Sequence, residues 1–145
     1  MQPVELFTLQ PVEGDALLSR LICGGRDHGK VNGRVLEGQF QCERGYVLLT
    51  SDGNAFEEVA HIYLLGADCQ TVDVVSLGAM YHSGHIRDLV PCGDDCLEFS
   101  FFGGSDRWRL TILKKPKMRL LPSVASSIRY PNGWLRPHYL ELVRV

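Results

Sequence analysis

The chain has 145 residues, 45% of them hydrophobic and 22% charged, with a net charge of −2, close to the balance of an average globular domain. That balance excludes a disordered, collagenous or coiled-coil chain. A chain of this length buries roughly 68–70% of the surface its unfolded form exposes, so a single domain over residues 1–145 is expected to hold its own core.

The N-terminus, Met1 to Glu5, has neither the basic start nor the apolar run of a secretory signal, and no later window approaches 18 uninterrupted apolar residues. The reading is a soluble, cytoplasmic chain that does not enter a membrane. Five cysteines, Cys23, Cys42, Cys69, Cys92 and Cys96, form an odd, irregularly spaced set, which suits a reducing compartment better than a disulfide framework.

Leu17, Leu18, Leu21 and Ile22 recur at helical spacing, with Asp15 as cap and Gly24-Gly25 as terminator, so a short N-terminal helix is predicted. Gly24–Arg34 then reads as a flexible polar loop. Its Gly24…Gly29-Lys30 imitates a phosphate-binding loop, but Val31 stands where a Ser or Thr should ligate Mg²⁺, and Asn32-Gly33 interrupts the helix that should follow.

From about residue 34 short apolar runs alternate with turn clusters every 8–14 residues or so, the pattern of an all-β fold. Ser51–Asn54 separates Tyr46–Thr50 from Val59–Leu65, and Gly66–Gln70 separates the latter from Thr71–Leu77. Pro91–Asp95 precedes Leu97–Phe102, and Gly103–Asp106 precedes Arg107–Leu113. Gly, Asn and Asp accept the positive φ of tight hairpins. Leu97, Phe99 and Phe101 alternate against Glu98 and Ser100, while Trp108, Leu110 and Ile112 alternate against Arg107, Arg109 and Thr111, so one side of that hairpin faces a core. Val59–Leu65 is apolar on both sides, as a central strand covered twice would be. The fold expected is all-β, a mostly antiparallel sandwich or barrel-like meander, with the one short helix at its N-terminus.

His82, His85, Cys92 and Cys96 form a His-x2-His-x6-Cys-x3-Cys series in turn-rich sequence, two imidazoles and two thiols of the kind that hold structural zinc. The competing reading makes the histidines solvated loop residues and lets the two thiols face each other across a hairpin. Zinc is the only cofactor to which the sequence points. His61, inside an apolar strand, reads as a core histidine with its polar atoms satisfied rather than as a base.

Residues 1–106 hold 6 Lys/Arg against 16 Asp/Glu, and residues 107–145 hold 9 against 1. The basic segment offers Arg107, Arg109, Lys114, Lys115, Lys117 and Arg119 for phosphate contacts. Alternation, however, turns Trp108 away from the two arginines, and the acidic and basic parts can neutralise each other. Nucleic acid is therefore the weaker partner class. Further on, Tyr130 and Trp134 with Arg129 and Arg136 suit a contact surface for a protein partner or a second copy of the chain. Residues 128–145 are expected to pack rather than trail, because His138–Val145 would expose apolar side chains on both faces if free.

No Gly-x-Ser-x-Gly elbow or His-Glu-x-x-His is present. The functional expectation is a non-catalytic binding or assembly module, with a homodimer as one arrangement. The alternatives are an enzyme of unidentified chemistry, a nucleic-acid-binding β domain using residues 107–119, and a zinc-stabilised module.

Overall fold

The computed structural model describes residues 1–54, 56–103, 105–118, 127–133 and 135–145, and among them are strands but no helix. In chain order the strands are β1 (Gln2–Pro3), β2 (Phe7–Pro11), β3 (Leu18–Cys23), β4 (Arg26–Asn32), β5 (Val35–Cys42), β6 (Gly45–Ser51) and β7 (Ala60–Gly66). They continue with β8 (Thr71–Leu77), β9 (Gly84–Gly93), β10 (Cys96–Phe102), β11 (Trp108–Met118), β12 (Ile128–Arg129) and β13 (Pro137–Arg144). Among the described residues no helix is long and apolar enough to cross a membrane.

The strands form three antiparallel sheets, of order β1-β5-β6-β7-β8-β12, β13-β11-β10-β9 and β2-β3-β4. The six-stranded sheet is the middle layer. On one face Val47, Leu49, Ile62, Leu64 and Val75 pack with Leu97, Phe99, Leu110 and Leu140 of the four-stranded sheet. On the other, Leu48, Tyr63, Leu65 and Val74 pack with Phe7, Leu21 and Val31 of the three-stranded sheet. A strand covered on both faces needs apolar residues at both parities, which is why Val59–Leu65 lacks alternation. Truncating one of its fully buried leucines, such as Leu64, should cost about 2–5 kcal/mol.

The predicted N-terminal helix is corrected to strand β3. Its residues alternate: Ser19 and Leu21 are buried while Arg20 is exposed, and the leucine spacing that suggested a helix is compatible with either period. The neighbours decide. β3 lies between β2 and β4, and Gly24 and Gly25, at φ +60° and +75°, form a two-residue turn joining Cys23 to its register partner Arg26. A turn with positive φ at both central residues matches the twist of a hairpin. The polar stretch after it is β4 rather than a free loop, and its hairpin geometry leaves no phosphate-binding loop.

The expected tail strand is β13, paired along β11 with Leu140 and Leu142 buried. The β11–β13 register jumps between Ile112 and Lys117, around Pro116, which has no N–H to give the ladder. There the Asp73 carboxylate of β8 reaches across: Oδ2 accepts from the backbone N–H of Tyr139 at 2.8 Å and of Leu140 at 2.9 Å. Its Oδ1 lies 2.8 Å from His138 Nδ1, and His138 Nε2 donates to the Gly133 carbonyl at 2.8 Å. This buried group pins the last strand to the middle sheet.

Candidate functional site

A row of register partners crosses the middle sheet on the face that meets β2–β4: Leu36, Thr50, His61, Ser76 and Arg129, from β5, β6, β7, β8 and β12. The adjoining rows, with Leu48, Tyr63 and Val74, are covered by the three-stranded sheet. That cover ends at Asn32, whose N–H donates to the Tyr63 hydroxyl at 2.8 Å and whose carbonyl accepts from Thr50 Oγ1 at 2.6 Å. Beyond it the row opens into a cleft of about 310 Å³ lined by Leu17, Asp52, Asn54, Glu57, Val59, Ser76, Ala79, Met80 and Arg129, among others.

At the floor, His61 lies between two oxygens, with Nδ1 2.9 Å from Ser76 Oγ and Nε2 2.8 Å from Asp52 Oδ1. With Asp52 ionised, Nε2 carries the proton and donates, leaving Nδ1 to accept from the Ser76 hydroxyl. His61 and Ser76 are buried. Asp52 is held by the loop after β6: Glu58 Oε1, itself buried, accepts from the N–H of Asp52 at 2.7 Å and of Gly53 and Val59 at 3.1 Å. Asn54 Oδ1 accepts from Phe56 N–H at 3.0 Å, and Glu57 Oε1 accepts from Tyr81 N–H at 3.1 Å, tying this loop to the one after β8. Leu17 and Met80, both exposed, and Val59 line the cleft and give it an apolar rim. The exposed Arg129, register partner of Ser76, lines the cleft, and its side chain makes no ion pair or hydrogen bond among the described residues.

The residues singled out by sequence are distributed elsewhere. Cys92 and Cys96 are joined in a disulfide across the β9–β10 turn, with Cα atoms 5.1 Å apart. His85 sits at the far end of β9, next to the pair Gly84–Phe102, whereas Cys92 lies by the pair Gly93–Cys96 at the other end of the β9–β10 ladder, and His82 is exposed beside the Phe102 ring. The four are not brought together. Arg109 donates to Glu98 Oε1 through Nε at 2.9 Å and a terminal nitrogen at 2.7 Å, while Arg107 Nε lies 3.6 Å from Glu98 Oε2. Lys117 pairs with Glu141 at 2.9 Å. Lys114 and Lys115 are exposed. Arg107 and Arg109 thus share one acid of the acidic part, Glu98, and Lys117 meets the one acid of the basic part, Glu141. Tyr130 is buried, donating its hydroxyl hydrogen to the Leu140 carbonyl at 3.2 Å, with its ring 4.3 Å from that of His138. Arg119 and Trp134 lie outside the described residues.

Two thiols, two carboxyls and one phenol outside the cleft are displaced from their ordinary titration: the Gly29 N–H holds Asp27 down and burial pushes Tyr63 up. Burial pushes Cys42 up. Burial, then the neighbouring Cys23 sulfur, pushes Cys69 up, and the Arg109 guanidinium holds Glu98 down.

Comparison with known proteins returns no match to a family model, to a curated protein or to a solved structure. The chemistry must be read from the cleft itself. It combines a guanidinium with no side-chain partner among the described residues, two carboxylates, a hydroxyl backed by imidazole, and an apolar rim. Sequence reasoning missed Asp52 and Ser76, placed Arg129 only in a contact surface for a protein partner or second copy, and assigned His61 only a structural role.

Proposed function

We propose that the protein is a non-catalytic binding module that takes a small amphipathic ligand in the cleft over Ser76, its anionic group meeting Arg129 and a donor group meeting Asp52 or Glu57. The observation that carries this reading is the Arg129 side chain lining the cleft beside an apolar wall, with no ion pair or hydrogen bond among the described residues. Charge-assisted hydrogen bonds to such a group are about twice as strong as neutral ones, and Leu17, Val59 and Met80 supply the apolar contact common to small-molecule sites. Opposite charges on the two sides favour a zwitterion over a simple anion.

The test is a thermal-shift and calorimetric screen of free amino acids against their N-acetyl derivatives, which retain the carboxylate and lose the ammonium. A free amino acid with an apolar side chain is expected to stabilise the parent, its acetylated form less so, and Arg129→Gln to abolish the shift without changing the unliganded melting temperature. Equal stabilisation of the Arg129→Gln protein would refute the assignment.

The Ser76–His61–Asp52 chain supports a second reading, acyl transfer with Ser76 as nucleophile and His61 as base. It predicts labelling of Ser76 by a fluorophosphonate probe that is lost in His61→Gln. An unlabelled parent protein would remove it.

A further inference from the structure

We infer that Cys23, His28 and Cys69 form a zinc site linking the β3–β4 hairpin to the turn between β7 and β8, at the opposite end of β3 from the cleft. Their ligand atoms, two Sγ and one imidazole nitrogen, all lie within 4.8 Å of one another. Three independent features of the chain bring them there. Cys23 is on the inward face of β3, in step with Leu21 and Ser19, where it packs against the second core. His28 belongs to a bulge in β4: Arg20 pairs with Lys30 but Ile22 with Asp27, so His28 and Gly29 together oppose Leu21. Gly29 takes φ +105°, and the Asp27 carboxylate braces the bulge by accepting from Gly29 N–H at 2.8 Å while pairing with Arg20 at 2.9 Å. Cys69 occupies the Gly66–Gln70 turn at φ +65°, a left-handed conformation seldom adopted by residues other than Gly, Asn or Asp. Its N–H donates to the Gly66 carbonyl at 2.9 Å.

Two thiolates and an imidazole are the donors zinc prefers, and three protein ligands leave the fourth tetrahedral position to water or an external donor. Zinc bonds of about 2.3 Å to sulfur and about 2.0–2.1 Å to nitrogen put neighbouring ligand atoms roughly 3.5–3.8 Å apart. Closing from 4.8 Å therefore needs side-chain rotation of about an ångström and no change of strand register. Cys23 and Cys69 are half-buried free thiols.

The experiment titrates the reduced, metal-free, full-length protein with zinc against a chromogenic chelator, and with cobalt as a spectroscopic substitute. One equivalent of zinc is expected, and cobalt should give thiolate charge-transfer bands and the intense visible absorption of a tetrahedral centre. Cys23→Ser and Cys69→Ser should each weaken zinc binding by more than the roughly 10–100-fold typical of outer-shell substitutions, and His28→Ala should reduce it as well. The double variant Cys92→Ser/Cys96→Ser should bind as the parent does. Absence of stoichiometric binding, or loss of zinc only in the Cys92/Cys96 double variant, would overturn the assignment. Cobalt binding by the parent without thiolate charge transfer would do the same, and needs no variant to fold.

Discussion

Replacing Asp73 by alanine should be among the most damaging single changes in the molecule. The carboxylate is 3% exposed and receives the His138 ring together with the N–H groups of Tyr139 and Leu140. Each buried donor left without an acceptor costs about 1–3 kcal/mol. The losses overlap, because water can enter the space vacated, so about 3–5 kcal/mol is expected, the range for breaking a buried pair from one side. For a chain of this size that is a fall in melting temperature of about 10–15 °C. Asp73→Asn should cost less, about 1–2 kcal/mol. Its oxygen can still accept the N–H groups of Tyr139 and Leu140, and its amide can donate to Nδ1 of a neutral His138 whose Nε2–H still meets the Gly133 carbonyl, at the loss of the bond that Asp73 Oδ1 accepts from the Val74 N–H at 2.9 Å. Urea unfolding of the parent, both variants and His138→Ala, with the Asp73→Ala/His138→Ala double variant, measures the pair in a double-mutant cycle. An Asp73→Ala protein within about 0.5 kcal/mol of the parent, the scatter of ordinary surface substitutions, or an asparagine variant less stable than the alanine one, would refute this account of how the last strand is held.

Two further outcomes follow from local geometry. Glu98 should titrate below the ordinary glutamate value of 4.5 because Arg109, then Arg107, favours its charged form; Arg109→Gln should raise it, as carboxyl chemical shifts against pH would record. A depressed folded value means that this stabilisation is complete above the unfolded value and is lost as the pH falls through the folded one, so the pH dependence of melting below about 4.5 should weaken in Arg109→Gln. At Gly45, with φ +145°, a Cβ would press into the Leu65 carbonyl and lie 2.6 Å from the carbonyl carbon of Gly66. Gly45→Ala should therefore lower stability by more than the roughly 1 kcal/mol of conformational cost alone, whereas at Gly24, where nothing lies within 4 Å of such a Cβ, only the positive φ is penalised; chemical denaturation of both variants separates the two effects.

The sheets were legible to different degrees for physical reasons. Thr71–Leu77 was readable to the residue, because Gly66–Gln70 and Leu77-Gly78 mark both ends. The double cover of Val59–Leu65 could be inferred because burial on both faces removes alternation. The three-stranded sheet was not readable. Leu17, Leu18, Leu21 and Ile22 satisfy a helical stripe, and only the pairing with β2 and β4 selects the extended form. The proposed zinc cluster had no local signal beyond Cys23-x4-His28, since Cys69 arrives from a turn 41 residues beyond His28. The regular-looking series His82, His85, Cys92 and Cys96 failed to converge because β9 is extended and separates its ends.

Why the cleft escaped the sequence has a more specific answer. The hairpin of β7 and β8 turns at Gly66–Gln70, and its last pair is Leu65 with Thr71. Continued without irregularity, that register would set His61 opposite Val75, and Ser76 would point into the other core. A register shift between Leu64 and Leu65 intervenes, so that Leu64 pairs with Asp73 and His61 with Ser76. One extra residue on β8 reverses the face of everything beyond it, which brings the Ser76 hydroxyl beside His61 and the guanidinium of Arg129 into the same row. The bulge in β4 does the same for His28, turning it inward opposite Leu21. Both clusters of chemically active side chains therefore arise where a strand gains a residue relative to its partner. Bulges cost ladder hydrogen bonds, and in proteins they are concentrated where a side chain must be re-aimed. Deleting Val72 from β8 would remove the bulge without moving the pairs beyond it, since Asp73 would then follow Thr71 and still meet Leu64, and Ser76 would still meet His61; the ligand-induced thermal shift should survive that deletion, and its loss would refute this account of the register.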